Sequence, residues 1–182
     1  MSRPMEGEVV SSEVVYRGKA VSVKREVVQL PSGKRIYREV VIHRGASAIV
    51  PLKSDNEIIF VKQYRHPIGE TILEIPAGTL KPGEDPEECA RRELEEETGY
   101  RAGELIHLTT IYPSPGYSSE KLYIYLAKNL ERGSQNLELD EDIKVTSMSL
   151  EEALKAIKSG RIRDAKTIAG ILYYNAFVNS GI

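Results

Sequence analysis

GTLKPGEDPEECARRELEEETGY, residues 78–100, is the stretch on which the reading of this chain turns. Its middle is a helix with marked ends. Asp85 suits the N-cap, Pro86 the first helical position, and Glu88 completes the pattern of a capping box. Gly99 falls just past the last turn, where a left-handed cap is usual. Glu84, Asp85, Glu87, Glu88, Glu93, Glu95, Glu96 and Glu97 crowd this segment, and the helix has Arg91 and Arg92 as its own cations. Like charges one turn apart each cost a few tenths of a kcal/mol. Such a helix calls for compensation, and bound hard cations supply it.

Residues i, i+3 and i+4 share a helical face, so Glu93, Glu96 and Glu97 project together. Ala90 and Leu94 lie beside Glu93, so the acidic face borders the buried stripe. Clustered carboxylates at the edge of a core suit Mg²⁺, or Mn²⁺ as an alternative, because these ions take oxygen ligands in octahedral array. The helix carries no histidine, which disfavours zinc. The competing reading is a solvated acidic face balanced by Arg91 and Arg92, the usual fate of a charge run.

Working outward, residues 8–44 read as strands: EVVYRG, AVSVKREVVQL and KRIYREVVIHR are rich in Val, Ile and Tyr. Pro31 to Lys34 make a hairpin turn between the last two. GASAIVPLK and EIIFVKQYRHP form a second pair about Ser54-Asp55-Asn56, and TILEIPAG is a short strand ending at Gly78. Beyond the helix, ELIHLTTIY and KLYIYLAKN flank the loop PSPGYSSE. A strand is expected near residues 137–148, and Ser149 with Glu152 opens a helix by a capping box. Asp164 caps a last helix carrying Ile168, Ile171, Leu172 and Tyr173. Many strands and few helices, out of strict alternation, predict an α+β fold.

At 182 residues and 41% apolar content the chain suits one ordinary domain. A net charge of −2 gives no global field to gather nucleic acid. Cys89 is the single cysteine, so an internal disulfide is excluded and a reducing compartment is expected. MSRPMEGEVV lacks the apolar run of a signal peptide, and no stretch approaches the ~20 apolar residues of a membrane span. These features point to a cytoplasmic protein without membrane or nucleic-acid partners.

The spacing of residues 78–100 then decides between metal site and solvated face. It resembles the Nudix box, G-x5-E-x7-R-E-U-x-E-E-x-G-U, through Gly78, Glu84, Arg92, Glu93, Leu94, Glu96, Glu97, Gly99 and Tyr100. Seven of these are fixed identities. At roughly 5–10% per position, chance would produce the match well under about one time in a thousand. Tyr100 departs from the commoner aliphatic residue. The resemblance implies a Nudix-type α/β/α sandwich around a mixed sheet over residues 45–182, with residues 1–44 as an N-terminal antiparallel strand extension. It implies that Glu93 and Glu97 are direct metal ligands, with Glu96 a direct or water-mediated one, and that the Ala77 carbonyl completes the shell. Arg92 would orient the glutamates, and Glu84 would support the loop.

The family resemblance further implies hydrolysis of a nucleoside diphosphate linked to another group, by water attack at phosphorus. No covalent nucleophile is needed, and Cys89 reads as a packing residue. Ile111 to Glu120, IYPSPGYSSE, resembles the loop of ADP-ribose pyrophosphatases. The resemblance casts Pro115 and Gly116 as substrate-shaping residues and Glu120, or Glu96, as the carboxylate that meets the attacking water. Tyr117 stands where small residues also occur. Lys62 to Pro67, KQYRHP, also resembles that subfamily and offers Arg65 as the diphosphate contact. Glu74 would reach the ribose or structure the site, while His43, His66 and His107 read as structural. In this subfamily an extension like residues 1–44 builds a homodimer and walls the adenine pocket, with Tyr16, Tyr37, Arg38 and Glu39 as candidates there. The expected activity is Mg²⁺-dependent cleavage of ADP-ribose to AMP and ribose 5-phosphate. Other nucleoside diphosphate sugars, such as ADP-glucose or GDP-mannose, and a non-catalytic ADP-ribose-binding module remain alternatives. An RNA-cap hydrolase is disfavoured by the acidic balance.

Overall fold

The computed structural model describes residues 7–19, 21–137 and 142–179. The chain divides into two compact units, one of residues 1–44 with 112–121, the other of residues 45–111 with 122–182.

The first unit is a meander of three antiparallel strands, β1 (Glu8–Arg17), β2 (Ser22–Gln29) and β3 (Arg35–Ile42). The expected turn at Pro31–Lys34 closes the second hairpin, with Gly33 at φ 83° where a left-handed residue is required. The loop 112–121 attaches to the end of β3. Val41 N–H donates to Tyr117 O at 2.8 Å, and Ser119 N–H donates to Val41 O at 2.9 Å. Every residue of β1 is exposed, including Val9, Val10, Val14, Val15 and Tyr16.

The second unit holds the mixed sheet. Its strands are β4 (Ala46–Ser54), β5 (Glu57–Arg65), β6 (Glu70–Glu74), β7 (Ala77–Thr79), β8 (Tyr100–Ile111), β9 (Leu122–Arg132) and β10 (Ile143–Ser149). The order is β10-β5-β4-β9-β8, with β6 on β5 and β7 on β4. Only the β4–β9 ladder is parallel among these pairs. Helices α1 (Pro86–Thr98), α2 (Leu150–Lys158) and α3 (Ala165–Tyr173) cover its faces. Alternation along β4 shows the layers. Ile49 packs with Ala90 and Leu94 of α1, whereas Ala48 and Val50 join Phe60, Ala153 and Ile171 on the α2 and α3 side. The α/β/α sandwich expected from the sequence is therefore present, as is the antiparallel N-terminal sheet.

Three local readings need correction. TILEIPAG is two strands, because Pro76 has no N–H to give a ladder. The Ile75 N–H instead donates to Thr167 Oγ1 at 2.8 Å, and Pro76 O accepts from Ile49 N–H at 2.9 Å. The chain thus passes from β5's edge to β4's. At α1 the Asp85 carboxylate accepts from Glu87 N–H, one residue earlier than a capping box would place it. The reciprocal box forms at α2, between Ser149 and Glu152. The strand expected over residues 137–148 runs over Ile143–Ser149, and its first part falls on residues 138–141, outside those described.

Candidate active site

The site is built where β7 meets α1. Asp85 caps the helix start, Ser47 Oγ donates to Pro86 O at 2.7 Å, and Ala90 and Leu94 anchor one stripe in the core. The other end closes at Gly99, φ 71°, whose N–H donates to Glu95 O. This fixes the rotation of α1 and turns Glu93 and Glu97 inward. They are 8% and 2% exposed, whereas Glu96 is half-buried.

Arg92 organises the carboxylates. Its Nε and Nη2 donate to Glu84 at 2.7 and 2.9 Å, and its Nη1 donates to Glu93 Oε1 at 2.5 Å and Glu96 Oε2 at 2.9 Å. Burying a carboxylate costs several kcal/mol, so one guanidinium shared among three glutamates is the cheapest local relief. The Glu84 carboxylate, with those of Glu93 and Glu96, raises the Arg92 pKa, and Arg92 in turn holds Glu84 down at about 2. Lys81 N–H also donates to Glu84, at 2.7 Å, so this residue braces the loop entering the helix.

Because the folded-state pKa of Glu84 lies below the ordinary 4.5, its contribution to stability is whole above that value and is lost as pH falls toward about 2. Glu84→Gln should therefore flatten the acid limb of melting temperature against pH in that window. A limb as steep as the parent's would rule the linkage out.

Backbone completes the cluster. Ala77 N–H donates to Glu97 Oε2 at 3.2 Å. Gly78 lies so close to Glu93 that a Cβ there would stand 1.9 Å from its carboxylate carbon. Cys89 is fully buried, and burial followed by the charges of Glu93 and Glu84 pushes its thiol up to about 12, so it packs and does not react.

Among the described residues, no three His, Cys, Asp or Glu side chains converge tightly enough to hold a metal ion. The donor chemistry nonetheless fits a hard divalent cation. It is all oxygen, it carries several negative charges, and Glu93 and Glu97 sit against the backbone at Gly78 and Ala77. Arg92 draws Glu93 and Glu96 onto its Nη1, and an ion would have to compete with it for those oxygens.

The remaining candidates separate. Arg65 lies at the end of β5 with Nε and Nη2 on Glu74 at 2.7 and 2.6 Å. Glu97 is among the charges it feels. Glu74 is nearly inaccessible and also takes Lys166, which fits a structuring role better than a direct reach to ribose. Lys166 escaped the sequence reading, although a cation at the second position of a helix goes against the macrodipole and was the available signal. Pro115, Gly116 and Glu120 fall in the first unit. There Glu120 stands 3.9 Å from His43 Nδ1, a partnership the sequence did not suggest. Arg38 and Glu39 are exposed on β3, paired in register with Glu26 and Arg25.

Comparisons with known proteins bear on this arrangement. The model of the NUDIX domain matches residues 41–170. An ADP-ribose pyrophosphatase of Bacillus subtilis (strain 168) is 43% identical over 173 residues, 94% of either chain. A methanol dehydrogenase activator of Bacillus methanolicus is 39% identical over 175 residues, 95% of either chain. A crystal structure of an ADP compounds hydrolase superposes with a TM-score of 0.87 at 23% identity, covering 99% of this chain and 98% of that one. This last likeness is one of fold.

Proposed function

The chain belongs to the NUDIX domain family, and from that premise we propose that it hydrolyses the diphosphate of ADP-ribose to AMP and ribose 5-phosphate. The observation that carries the substrate is the 43% identity to an ADP-ribose pyrophosphatase, which spans nearly the whole of both chains and so reaches beyond the family core at 41–170.

Water adds to one phosphorus, the bond to the bridging oxygen breaks, and the water's proton passes to a carboxylate. Glu120 and Glu96 are the candidates for that carboxylate. Ala77 O, Glu93 and Glu97, with Glu96, would hold a divalent cation, which we take to be Mg²⁺. When bound, such an ion neutralises phosphate charge and acidifies water. Arg92 keeps the glutamates oriented, a role that charge-assisted hydrogen bonds perform well. Arg65 offers the diphosphate its outer guanidinium edge. In the first unit, Pro115 and Gly116 would shape the substrate loop, and Arg38 and Glu39 are the adenosine-side candidates.

The exposed valines of β1 fit a homodimer built through residues 1–44, since a three-stranded sheet with apolar side chains in water is a poor endpoint. No helix among the described residues is long and apolar enough to cross a membrane. The lone buried thiol is in keeping with a cytoplasmic setting.

A panel of ADP-ribose, ADP-glucose and GDP-mannose tests the substrate. ADP-ribose should give the highest kcat/KM, by roughly tenfold or more, since a missed polar contact in a desolvated site is worth at least that factor. Equal rates across the panel would leave only a general nucleoside diphosphate sugar hydrolase. Binding without turnover in the presence of Mg²⁺ would favour a sensor module.

A further inference from the structure

Glu74, at the end of β6, is 1% exposed and accepts from two cations, the Arg65 fork and Lys166 Nζ. One cation would suffice to balance it, and the second is placed at some cost. Lys166 is the second residue of α3, where the positive end of the helix disfavours it, and its side chain is only 14% exposed. Asp164, the N-cap, offsets part of this through Oδ1 at 3.1 Å.

Lys166 is held stiffly. Asp164 Oδ2 accepts from Thr167 N–H at 3.0 Å and from Thr167 Oγ1 at 2.6 Å, and that same Oγ1 accepts from Ile75 N–H at 2.8 Å. The start of α3 is thus bolted to the residue that follows Glu74. On the other side, Arg65 commits Nε and Nη2 to Glu74, while Nη1 makes no hydrogen bond among the described residues. The Arg65 side chain is 38% exposed, and the Glu97 carboxylate lies within its electrostatic reach.

We propose that Lys166 is a positioning residue for diphosphate binding: it acts through Glu74, sharing that carboxylate so that Arg65 keeps its charge for a phosphate oxygen. This rests on the reading of the site as one for nucleoside diphosphates. With Lys166 in place the group of Arg65, Glu74, Lys166 and Asp164 is neutral overall, and Lys166 takes up part of the Glu74 charge. Without it the group carries one net negative charge, Glu74 belongs wholly to Arg65, and the outward pull on an anion weakens.

The test pairs steady-state hydrolysis of ADP-ribose with calorimetric binding of its uncleavable α,β-methylene analogue. Lys166→Met should raise both KM and the analogue's Kd roughly tenfold, the scale of one lost charge interaction near a surface, with kcat within about twofold. Lys166→Gln, which keeps a donor for Glu74 without the charge, should behave the same way and carries the measurement if the Met variant does not fold. Lys166→Arg should restore both constants. In a Glu74→Gln background, Lys166→Met should lose most of its effect, since the two act as one chain.

A fall in melting temperature with KM and Kd unchanged would show Lys166 to be a structural tie and overturn the proposal. So would a full tenfold effect persisting without Glu74. A parent protein that neither cleaves ADP-ribose nor binds the analogue would sink the nucleotide reading itself, and this role with it. A parent that cleaves normally while the Lys166 variants keep its KM sinks the role of Lys166 alone.

Discussion

Glu97→Gln should lower kcat by about 10²–10³-fold or more while leaving the fold intact, the scale on which enzymes lose one preorganised electrostatic contact at the reacting centre. Glu97 is 2% exposed and takes the Ala77 N–H at 3.2 Å. The amide oxygen of Gln keeps that hydrogen bond, so geometry is spared and only charge is removed. Taking a buried charge out of a crowded acidic segment relieves repulsion, so the metal-free variant should melt at the parent's temperature or above it. The second readout is linkage. An ion that binds only the folded state stabilises it in proportion to RT ln(1 + [L]/Kd), so Mg²⁺ should raise the parent's melting temperature and not the variant's. Parent-like turnover in Glu97→Gln would refute the metal assignment.

Gly78→Ala is the second large effect, and it should divide activity from stability. Gly78 has no positive φ, so an alanine finds its backbone acceptable. The difficulty is contact, because the new Cβ would fall 1.9 Å from Cδ and Oε1 of Glu93 and 2.4 Å from Oε2. Those atoms end a flexible side chain, which can swing aside at an off-rotamer cost of about 0.5–1.5 kcal/mol. For a chain of this size that is a shift of only about 1–6 °C in melting temperature. The swing, however, takes the carboxylate from its place and breaks its bond to Arg92 Nη1. Metal affinity should fall by roughly 10–100-fold, the usual cost of disturbing a ligand's support, with kcat/KM falling alongside it. A melting temperature that collapses would show that Gly78 serves packing, and unchanged metal affinity would remove Glu93 from the ligand set.

Both effects rest on residues visible in the sequence because they lie on one short segment. The spacing of Glu93, Glu96 and Glu97 puts them on one face of any α-helix, and Asp85, Pro86 and Gly99 mark where that helix starts and stops. The capping signals of α2 and α3 are local patterns too, but the layers came with the resemblance, because β4 is a continuous buried run whose two faces only packing tells apart. The breaking of TILEIPAG at Pro76 was locally readable too, but its use was not. Whether a prolyl break ends a strand or carries it to a neighbour depends on which strands lie alongside.

The sequence by itself determined that Glu93, Glu96 and Glu97 share one face, since spacing on a helix follows from 3.6 residues per turn and needs no partner; the reaction class came with the resemblance of residues 78–100 to the Nudix box. It also fixed the single-cysteine chemistry and the order of the elements. Only the tertiary structure decided that Arg92 draws Glu84, Glu93 and Glu96 together, and that Arg65 is tethered by Glu74. It alone brought Lys166, ninety-two residues away from Glu74, onto the same carboxylate. The physical reason is that charge is compensated through space. A buried carboxylate takes whichever cation the packed sheet and helices carry to it, and no local periodicity records that choice.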